Sequence, residues 1–287
     1  MSKINSLIKY AFLDAVRSFL SVRGFLIVLA LLFFNYEEIY EVVEFAADYK
    51  EPLLPVAMPF IFYSQHFDLM FGIITIFLFS EVPFITNRTT YVILRVGRKR
   101  WLIGNIFRIL ITAILYMLLE VVISVAVCGN NVLWANEWGK VWKTLSVSSE
   151  SIAGVSVWVP RNVLIQYTPL EAMCRVFIIG SLVVFFIGCL MLLISLILSS
   201  VIAISLTGFI SVLPYFALNS AIIYSRIYYF SPFSWIGIIE YSKSYIYGGP
   251  DSTDMICMLI GAILALVIVL WFVINGVDLK EGKGEEE

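Results

Sequence analysis

The fold is decided by a basic cluster and the long apolar run that follows it, which at residues 98–127 read RKRWLIGNIFRILITAILYMLLEVVISVAV. The apolar part, residues 101–127, exceeds the ~20 residues that a helix needs to cross the hydrocarbon core of a bilayer. It lacks the period-two alternation of a membrane barrel strand. Because backbone polar groups in lipid must be paired within the chain, this run predicts a transmembrane helix.

The composition of the whole chain agrees with this prediction. Its 287 residues are 61% hydrophobic and only 14% charged, whereas a soluble domain carries roughly 25% charged residues. A single soluble core of this size could not bury so much apolar surface. We therefore predict an all-α integral membrane protein.

Further apolar segments give six predicted spans, near 20–38, 58–82, 101–127, 173–198, 201–223 and 255–275. The fourth and fifth spans meet at Ser199-Ser200 and should form a tight hairpin. No small-residue cleavage site follows the first apolar run, so we expect that run to remain as a span. Residues 1–277 are thus one transmembrane domain, followed by a charged, solvated tail at 278–287.

Lysine and arginine indicate the orientation of these spans. Basic side chains lie before the first span and between the second and third spans, namely Lys3, Lys9, Arg17, Arg23, Arg88, Arg95, Arg98, Lys99 and Arg100. The positive-inside rule places these segments in the cytoplasm, and six spans then place both termini there. The segment after the first span is acidic and belongs outside, with Glu37, Glu38, Glu41, Glu44, Asp48 and Glu51 against Lys50.

Three segments between or before the spans have patterns of their own. Residues 3–20 carry apolar side chains at i, i+3, i+4 spacing, which predicts an in-plane amphipathic helix or, alternatively, an extension of the first span. In residues 128–172, Trp134, Trp138 and Trp142 have the spacing of one helix face at the outer interface. The same segment continues with Val155, Val157 and Val159 before Pro160, as a short strand or an irregular loop. Residues 224–254 are aromatic-rich and fit a re-entrant or interfacial helix pair.

Motifs for catalysis are missing from the sequence. It contains no phosphate-binding loop, no zinc-protease motif and no nucleophile elbow, and His66 is its only histidine. A metal site is not expected from one histidine and four scattered cysteines. A disulfide between Cys128 and Cys174 is left open, since both fall at outer helix ends. We predict no enzyme activity and no cofactor in this chain.

Carboxyl groups inside predicted spans are functional candidates because they are costly in lipid. Asp68 lies near His66 in the outer half of the second span, and Glu120 lies within the third. His66 and Asp68 could form a hydrogen-bonded pair or line a substrate path, and Glu120 could form an interhelical hydrogen bond. An acid–base enzyme would need Asp68 and Glu120 together, which nothing in the sequence indicates.

Residues 81–105 are the most informative cytoplasmic stretch. Glu81 ends the second span, an apolar helix with Tyr91, Val92, Ile93 and Leu94 follows, and Gly97 turns the chain into the basic cluster. Trp101 then opens the third span. Such an apolar segment on a basic stem could orient the protein only, or could dock into a partner protein.

The order of these features resembles the ABC-2 type transporter permeases. The resemblance covers nearly the whole chain: an in-plane helix, six spans, a coupling helix between spans two and three, a tight turn between four and five, and re-entrant helices before the sixth. Glu81, Thr89, the Tyr91–Leu94 helix, the Arg95–Arg100 turn and Gly104 are similar to the family motif, as is Ser231-Pro232-Phe233. Arg88 and Asn105 replace a Gly and a Lys of that motif.

The resemblance implies one permease subunit of an ATP-driven exporter of a peptide, drug or lipid-like molecule. It implies a second permease subunit and a separate ATPase subunit that holds ATP and Mg²⁺. The implied coupling residues are Glu81, Tyr91, Val92, Ile93, Leu94, Arg95, Arg98, Lys99 and Arg100, and the substrate path would include His66, Asp68 and Glu120. A multi-pass protein of a bacterial plasma membrane is the analogous setting. The alternatives are an ion-coupled carrier, with Asp68 or Glu120 as the proton site, and a membrane enzyme without an ATPase.

Overall fold

A computed structural model describes residues 2–82, 93, 96–129, 131–148, 155, 157–219, 230–237 and 252–276. These residues are helical or irregular and include no strand, although a single parallel bridge joins Leu53 and Val132. The prediction of an all-helical fold is therefore confirmed for the described part of the chain.

The helices follow one another in the order α1 (Ser2–Phe19), α2 (Val22–Asp48), α3 (Met58–Ile61), α4 (Gln65–Leu78), α5 (Arg98–Val127), α6 (Lys140–Ser148), α7 (Arg161–Gln166), α8 (Pro169–Ile197), α9 (Ser200–Asn219) and α10 (Ser252–Gly276). A short 3₁₀ turn, Phe233–Trp235, lies between α9 and α10. Only Leu198 and Ser199 separate α8 from α9.

Three of these helices are long and apolar enough to cross a membrane: Arg98–Val127, Pro169–Ile197 and Thr253–Gly276. The end of α1 and the whole of α2 also pass this test when they are taken together as one bent pair. In α4 and α9, the segments His66–Leu78 and Ser200–Phe216 are apolar but shorter. The described residues thus support several membrane helices without showing all six predicted spans.

The second predicted span, 58–82, is not one continuous helix. The chain forms α3, leaves helical geometry at Phe62–Ser64 and starts again as α4, where the Ser64 hydroxyl accepts from the Phe67 amide at 3.4 Å. The 14 residues of α4 span only ~21 Å at ~1.5 Å per residue. Hydropathy gives no sign of this break, because Phe60 and Phe62, which lie at it, are apolar and buried.

A sharp corner joins α1 to α2. The two helices differ in direction by 61°, and the Ser21 hydroxyl caps α2 by accepting from the Gly24 amide at 3.2 Å. A side chain at position 24 would collide with the carbonyl of Phe19, so the corner requires glycine there. Consequently α1 is not a straight extension of α2, and it packs on α5, where Asp14 pairs with Arg108 at 2.6 Å.

The centre of the bundle is α8, which packs against α5, α9 and α10. Next to it, α4 packs against α9 and α2. Small residues allow the closest approach: an added Cβ at Gly72 of α4 would lie 2.6 Å from the Cβ of Ser211 in α9. Membrane helices commonly pack through such small residues, since lipid provides no hydrophobic force between them.

The segment around the 3₁₀ turn enters the bundle. Ser231, Phe233, Ser234 and Ile236 are each at most 1% exposed. Phe233 lies against Gly72, which belongs to the middle of α4. The remainder of the predicted re-entrant segment 224–254 lies outside the described residues, as does the charged tail at 278–287.

A cap of irregular chain and short helices covers one end of the bundle. We use the name cap for residues 50–64, 131–148, 155 and 157–168. Its two parts are joined by the indole of Trp142, which donates to the Leu54 carbonyl at 3.0 Å, and by the rings of Phe60 and Trp142, whose centroids are 4.7 Å apart. Trp138 donates to the Tyr167 carbonyl at 2.8 Å.

This arrangement corrects the prediction that three tryptophans share one helix face. The helix α6 begins only at Lys140, so Trp134 and Trp138 precede it. Trp138 and Trp142 are buried and serve as internal pins of the cap, while Trp134 is 72% exposed. The four-residue spacing of the tryptophans therefore does not indicate a helix. The indoles of Trp138 and Trp142 are each held by a hydrogen bond of their own. Val155, Val157 and Val159 are buried in irregular chain, not in a strand.

The cysteines form no disulfide. Cys128 and Cys174 are free thiols, the first buried and the second exposed. The thiol of Cys128, just beyond the last residue of α5, lies 3.2 Å from the Ser124 carbonyl. Burial raises the pKa of this thiol to about 12. The thiolate that disulfide formation needs is therefore scarce at neutral pH.

Trp142→Phe tests the pin between the two parts of the cap. The change keeps an aromatic ring but removes one of the two hydrogen bonds to the Leu54 carbonyl, which also accepts from the Val56 amide, and should cost about 0.5–1.5 kcal/mol of the free energy of unfolding. Trp134→Phe is the matched control, since its parent side chain is mostly exposed and the change should stay within about 0.5 kcal/mol. Thermal unfolding of the purified protein in detergent measures both. Equal Tm values for the two variants would contradict the assigned role.

Candidate functional site

The two ends of the bundle differ in charge. We call the end with Arg98, Lys99 and Arg100 the basic end, and the end with Glu37, Glu41 and Glu44 the acidic end. Because α2 begins at Val22 and ends at Asp48, it runs from the basic end to the acidic end. Candidate residues lie at both ends and between them along α2, α4 and α5.

At the basic end, the residues that flank the stretch 83–97 contact other helices: Glu81 before it and the first turn of α5 after it. The carboxylate of Glu81 pairs with Arg23 of α2 at 2.8 Å. Arg98 donates to the Asn275 carbonyl at 3.3 Å, and the Lys99 ammonium lies 4.9 Å from the ring centroid of Trp271. Both partners belong to α10. The two sides of the stretch therefore contact the first and the last of the long apolar helices.

The predicted coupling residues are only partly described. Ile93 is buried, whereas Glu81, Arg98, Lys99 and Arg100 are exposed. Tyr91, Val92, Leu94 and Arg95 lie outside the described residues. The basic cluster is the first turn of α5, which begins at Arg98 and not at Trp101 as predicted. The helix starts there because Gly97, with φ of 89°, leaves helical geometry immediately before it.

Between the two ends, three polar side chains meet at the contact of α2 with α5. We call Asn35, Tyr116 and Glu120 the central cluster. All three are fully buried. The carboxyl of Glu120 faces the amide of Asn35 and lies within electrostatic reach of the Tyr116 hydroxyl, four residues earlier on the same helix face. The sequence marked only Glu120 of these three.

The central cluster is incompletely hydrogen-bonded. Asn35 donates to the Leu31 carbonyl at 2.9 Å, but its side-chain oxygen has no partner among the described residues. The same holds for both carboxyl oxygens of Glu120 and for the Tyr116 hydroxyl, which faces Thr75 at a geometry too poor for a hydrogen bond. Polar groups in a membrane bundle that lack partners are costly and mark functional positions. The interhelical hydrogen bond expected of Glu120 is thus replaced by a loose contact with Asn35.

Toward the acidic end, a pair of carboxyl groups lies between α2 and α4. Glu38 accepts from the Ser64 hydroxyl at 2.6 Å. Asp68, one turn after Ser64, is 2% exposed and within electrostatic reach of Glu38. We call Glu38 and Asp68 the acidic pair. One oxygen of Asp68 has no hydrogen-bond partner in the described part of the chain.

The structure does not pair the residues that the sequence placed near each other. His66 is exposed while Asp68 is buried, because residues two apart on a helix point in nearly opposite directions. The alternative in which His66 and Asp68 form a hydrogen-bonded pair is therefore wrong. Asp68 and Glu120 are also separate, since Asp68 faces Glu38 and Glu120 faces Asn35.

No family model, curated protein or solved structure matches this chain.

Glu120→Gln tests whether the central cluster lacks a counter-charge. Glutamine has the same shape and adds an N–H donor for the unpaired oxygen of Asn35, so the free energy of unfolding should rise by about 1 kcal/mol. Thermal unfolding in detergent measures the change. Asn35→Ala in the same background is the control, because it removes the oxygen that would accept from the new N–H donor. A marked fall in Tm for Glu120→Gln alone would show that the carboxyl has a charged partner.

Proposed function

We propose that this chain is the membrane-spanning permease subunit of an ATP-driven exporter, powered by a separate ATPase subunit. Two copies of the chain, or this chain and a related subunit, would form the pathway for an amphipathic cargo. ATP and Mg²⁺ would be held by the ATPase. The chain itself would contribute the pathway and the surface on which the motor subunit acts.

The observation that carries this proposal is the attachment of the stretch between α4 and α5. Glu81, just before residues 83–97, pairs with Arg23 of α2, and Arg98, the first residue of α5 just after them, donates to Asn275 of α10. A force applied to the stretch would reach both helices. This is the property that a docking segment for a motor subunit needs.

The distribution of charge supports a cytoplasmic position for the basic end. Arg98, Lys99 and Arg100 are exposed beside a helix long enough to span a bilayer, and such clusters are retained in the cytoplasm. In this orientation the acidic end and the cap face outward. The ATPase would then meet the basic end.

The ATPase would switch the permease between two states by contacting each state differently. The ATPase dimer would press on the stretch between α4 and α5 when it closes on nucleotide, and would release it after hydrolysis. A motor subunit can shift the permease between two states only if it contacts them differently. The ion pair of Glu81 with Arg23 and the contacts of Arg98 and Lys99 with α10 are the positions where such a difference can pass into the bundle.

Purification of the tagged chain from its own membrane in mild detergent tests the partnership. We expect a co-purifying subunit with a phosphate-binding loop, identified by peptide sequencing. Replacement of Tyr91, Val92 and Leu94 by serine, with buried Ile93 kept, should remove it, because the apolar docking contacts would be lost. The matched control replaces Trp134 and Val147 by serine. Both are exposed apolar side chains of the cap. Retention of the ATPase after the first change, or its absence from the parent preparation, would contradict the proposal.

An ion-coupled carrier is the second candidate, favoured by the unpaired oxygens of Asp68 and Glu120. Efflux of a fluorescent amphipathic dye from cells separates the two functions. For the exporter, ATP depletion with the proton gradient maintained should stop efflux. For the carrier, efflux should survive ATP depletion and be lost in Asp68→Asn, because the carboxyl would be the coupling group.

A further inference from the structure

The acidic pair has an unusual electrostatic position. Glu38 and Asp68 approach each other from α2 and α4, although like charges repel more strongly at sites shielded from water. Ser64 donates one hydrogen bond to Glu38 and none to Asp68. Native structures rarely leave two neighbouring carboxyl groups in this condition unless another group completes the site.

Nothing in the described part of the chain supplies the opposite charge. The ion pairs found there join Arg23 with Glu81, Arg108 with Asp14 and Lys140 with Glu51, and none of them includes the acidic pair. His66 is the basic side chain within electrostatic reach of Glu38, but it is exposed and makes no ion pair with either carboxyl group. Among the described residues, the acidic pair therefore has no ion-pair partner.

The surroundings favour the approach of a cation from the acidic end. Glu37 and Glu41 lie within electrostatic reach of Glu38 and add negative charge. A concentration of one sign of charge around a recess raises the local concentration of the opposite ion. Half-buried Glu38 leads from this surface to buried Asp68.

An aromatic pair begins next to Ser64, the residue that donates to Glu38. Tyr63, which precedes Ser64, packs edge-on against Trp158, with ring centroids 5.2 Å apart. Trp158 is 54% exposed. Aromatic faces of this kind bind the apolar part of a ligand and attract a nearby cationic group.

We propose that Glu38 and Asp68 bind an ammonium or guanidinium group on an amphipathic ligand, with the Tyr63–Trp158 pair against its apolar part. The ligand's N–H groups would donate to the carboxyl oxygens, including the unpaired oxygen of Asp68. Only the identification of this ligand as exported cargo rests on the proposed function. The binding site itself is a property of this chain alone.

An organic cation suits this site better than a metal ion. Ca²⁺ takes six to eight oxygen ligands and Mg²⁺ six. Within the residues that the structure describes, no group of three or more acidic, histidine or cysteine side chains could hold a metal. An ammonium group needs only two or three acceptors in hydrogen-bond reach, which two carboxyl groups provide.

Matched probes test the site on the purified full-length chain in nonionic detergent. Phenethylammonium chloride and phenethyl alcohol have the same ring and chain length and differ in charge. We expect a saturable rise in Tm with the cation and none with the alcohol, at constant ionic strength. Asp68→Asn and Glu38→Gln should each raise the concentration for half-saturation at least about tenfold, because each removes one charge of a partly buried site.

Glu44→Gln is the matched control, since it removes one exposed carboxyl from the same helix and should leave the response unchanged. Equal responses to the cation and the alcohol would overturn the proposal. So would an unchanged response in the Asp68→Asn and Glu38→Gln double variant, provided that it elutes as the parent does in gel filtration. A response to Mg²⁺ or Ca²⁺ that excludes the organic cation would also overturn it, in favour of a metal site.

This experiment fails or succeeds independently of the motor subunit. The preparation contains no ATPase, so a missing response speaks against the cation site and leaves the exporter function standing. Conversely, cation binding here, together with the absence of an ATPase from the tagged chain purified from its own membrane, would retain the site and remove the exporter function.

Discussion

Polar groups inside this bundle must find their partners within the protein, since lipid offers none. The chain meets that requirement in most of its apolar helices by local means. Thr75, Ser124 and Thr207 donate to carbonyl groups three or four residues earlier on their own helices. Such bonds satisfy a hydroxyl without involving a neighbouring helix. The buried polar side chains at the contacts of α2 with α4 and α5 do not follow this pattern.

The side chains at these contacts cannot be satisfied locally. A carboxyl group is an acceptor when ionised, and a helix interior has no free backbone N–H to offer it. Glu120, Asp68 and Asn35 each have a buried side-chain oxygen without a hydrogen-bond partner among the described residues. Such an arrangement weakens the contact between helices compared with an apolar one. Its persistence in a membrane bundle is more readily explained by ligand binding or by movement of the helices than by stability.

The sequence predicted the long helices well because one signal dominates them. In α5, α8 and α10 the apolar run continues for the whole length, and the observed ends lie within four residues of those expected. Span 58–82 shows where that signal fails. Its break depends on the Ser64 cap and on the packing of Phe60 and Phe62 in the cap region, and hydropathy has no access to either. The prediction that the cap tryptophans share one helix face was wrong for a related reason. Their spacing is that of a helix face, although Trp134 and Trp138 precede the helix.

The candidate site was half visible in the sequence. Asp68 and Glu120 stand out because charges interrupt apolar runs, and both are buried. Glu38 was assigned to the acidic outer segment, whereas α2 continues through that segment to Asp48. Asn35 lies near the end of the first predicted span and is uncharged, so it was not marked as a candidate. One available signal was the helical spacing of Leu31, Asn35, Ile39 and Val42, all buried. Tyr116 carried no distinguishing pattern, since aromatic residues are common throughout the chain.

The helix α2 connects these features mechanically. Its 27 residues extend over ~40 Å at ~1.5 Å per residue. Arg23 holds Glu81 at the basic end, Asn35 faces Glu120 in the middle, and Glu38 faces Asp68 toward the acidic end. A helix transmits a displacement along its axis because its backbone hydrogen bonds keep it stiff. A motion that enters through Glu81 would therefore change the separation of Glu38 from Asp68, and the loosely bonded central cluster would offer little resistance to it.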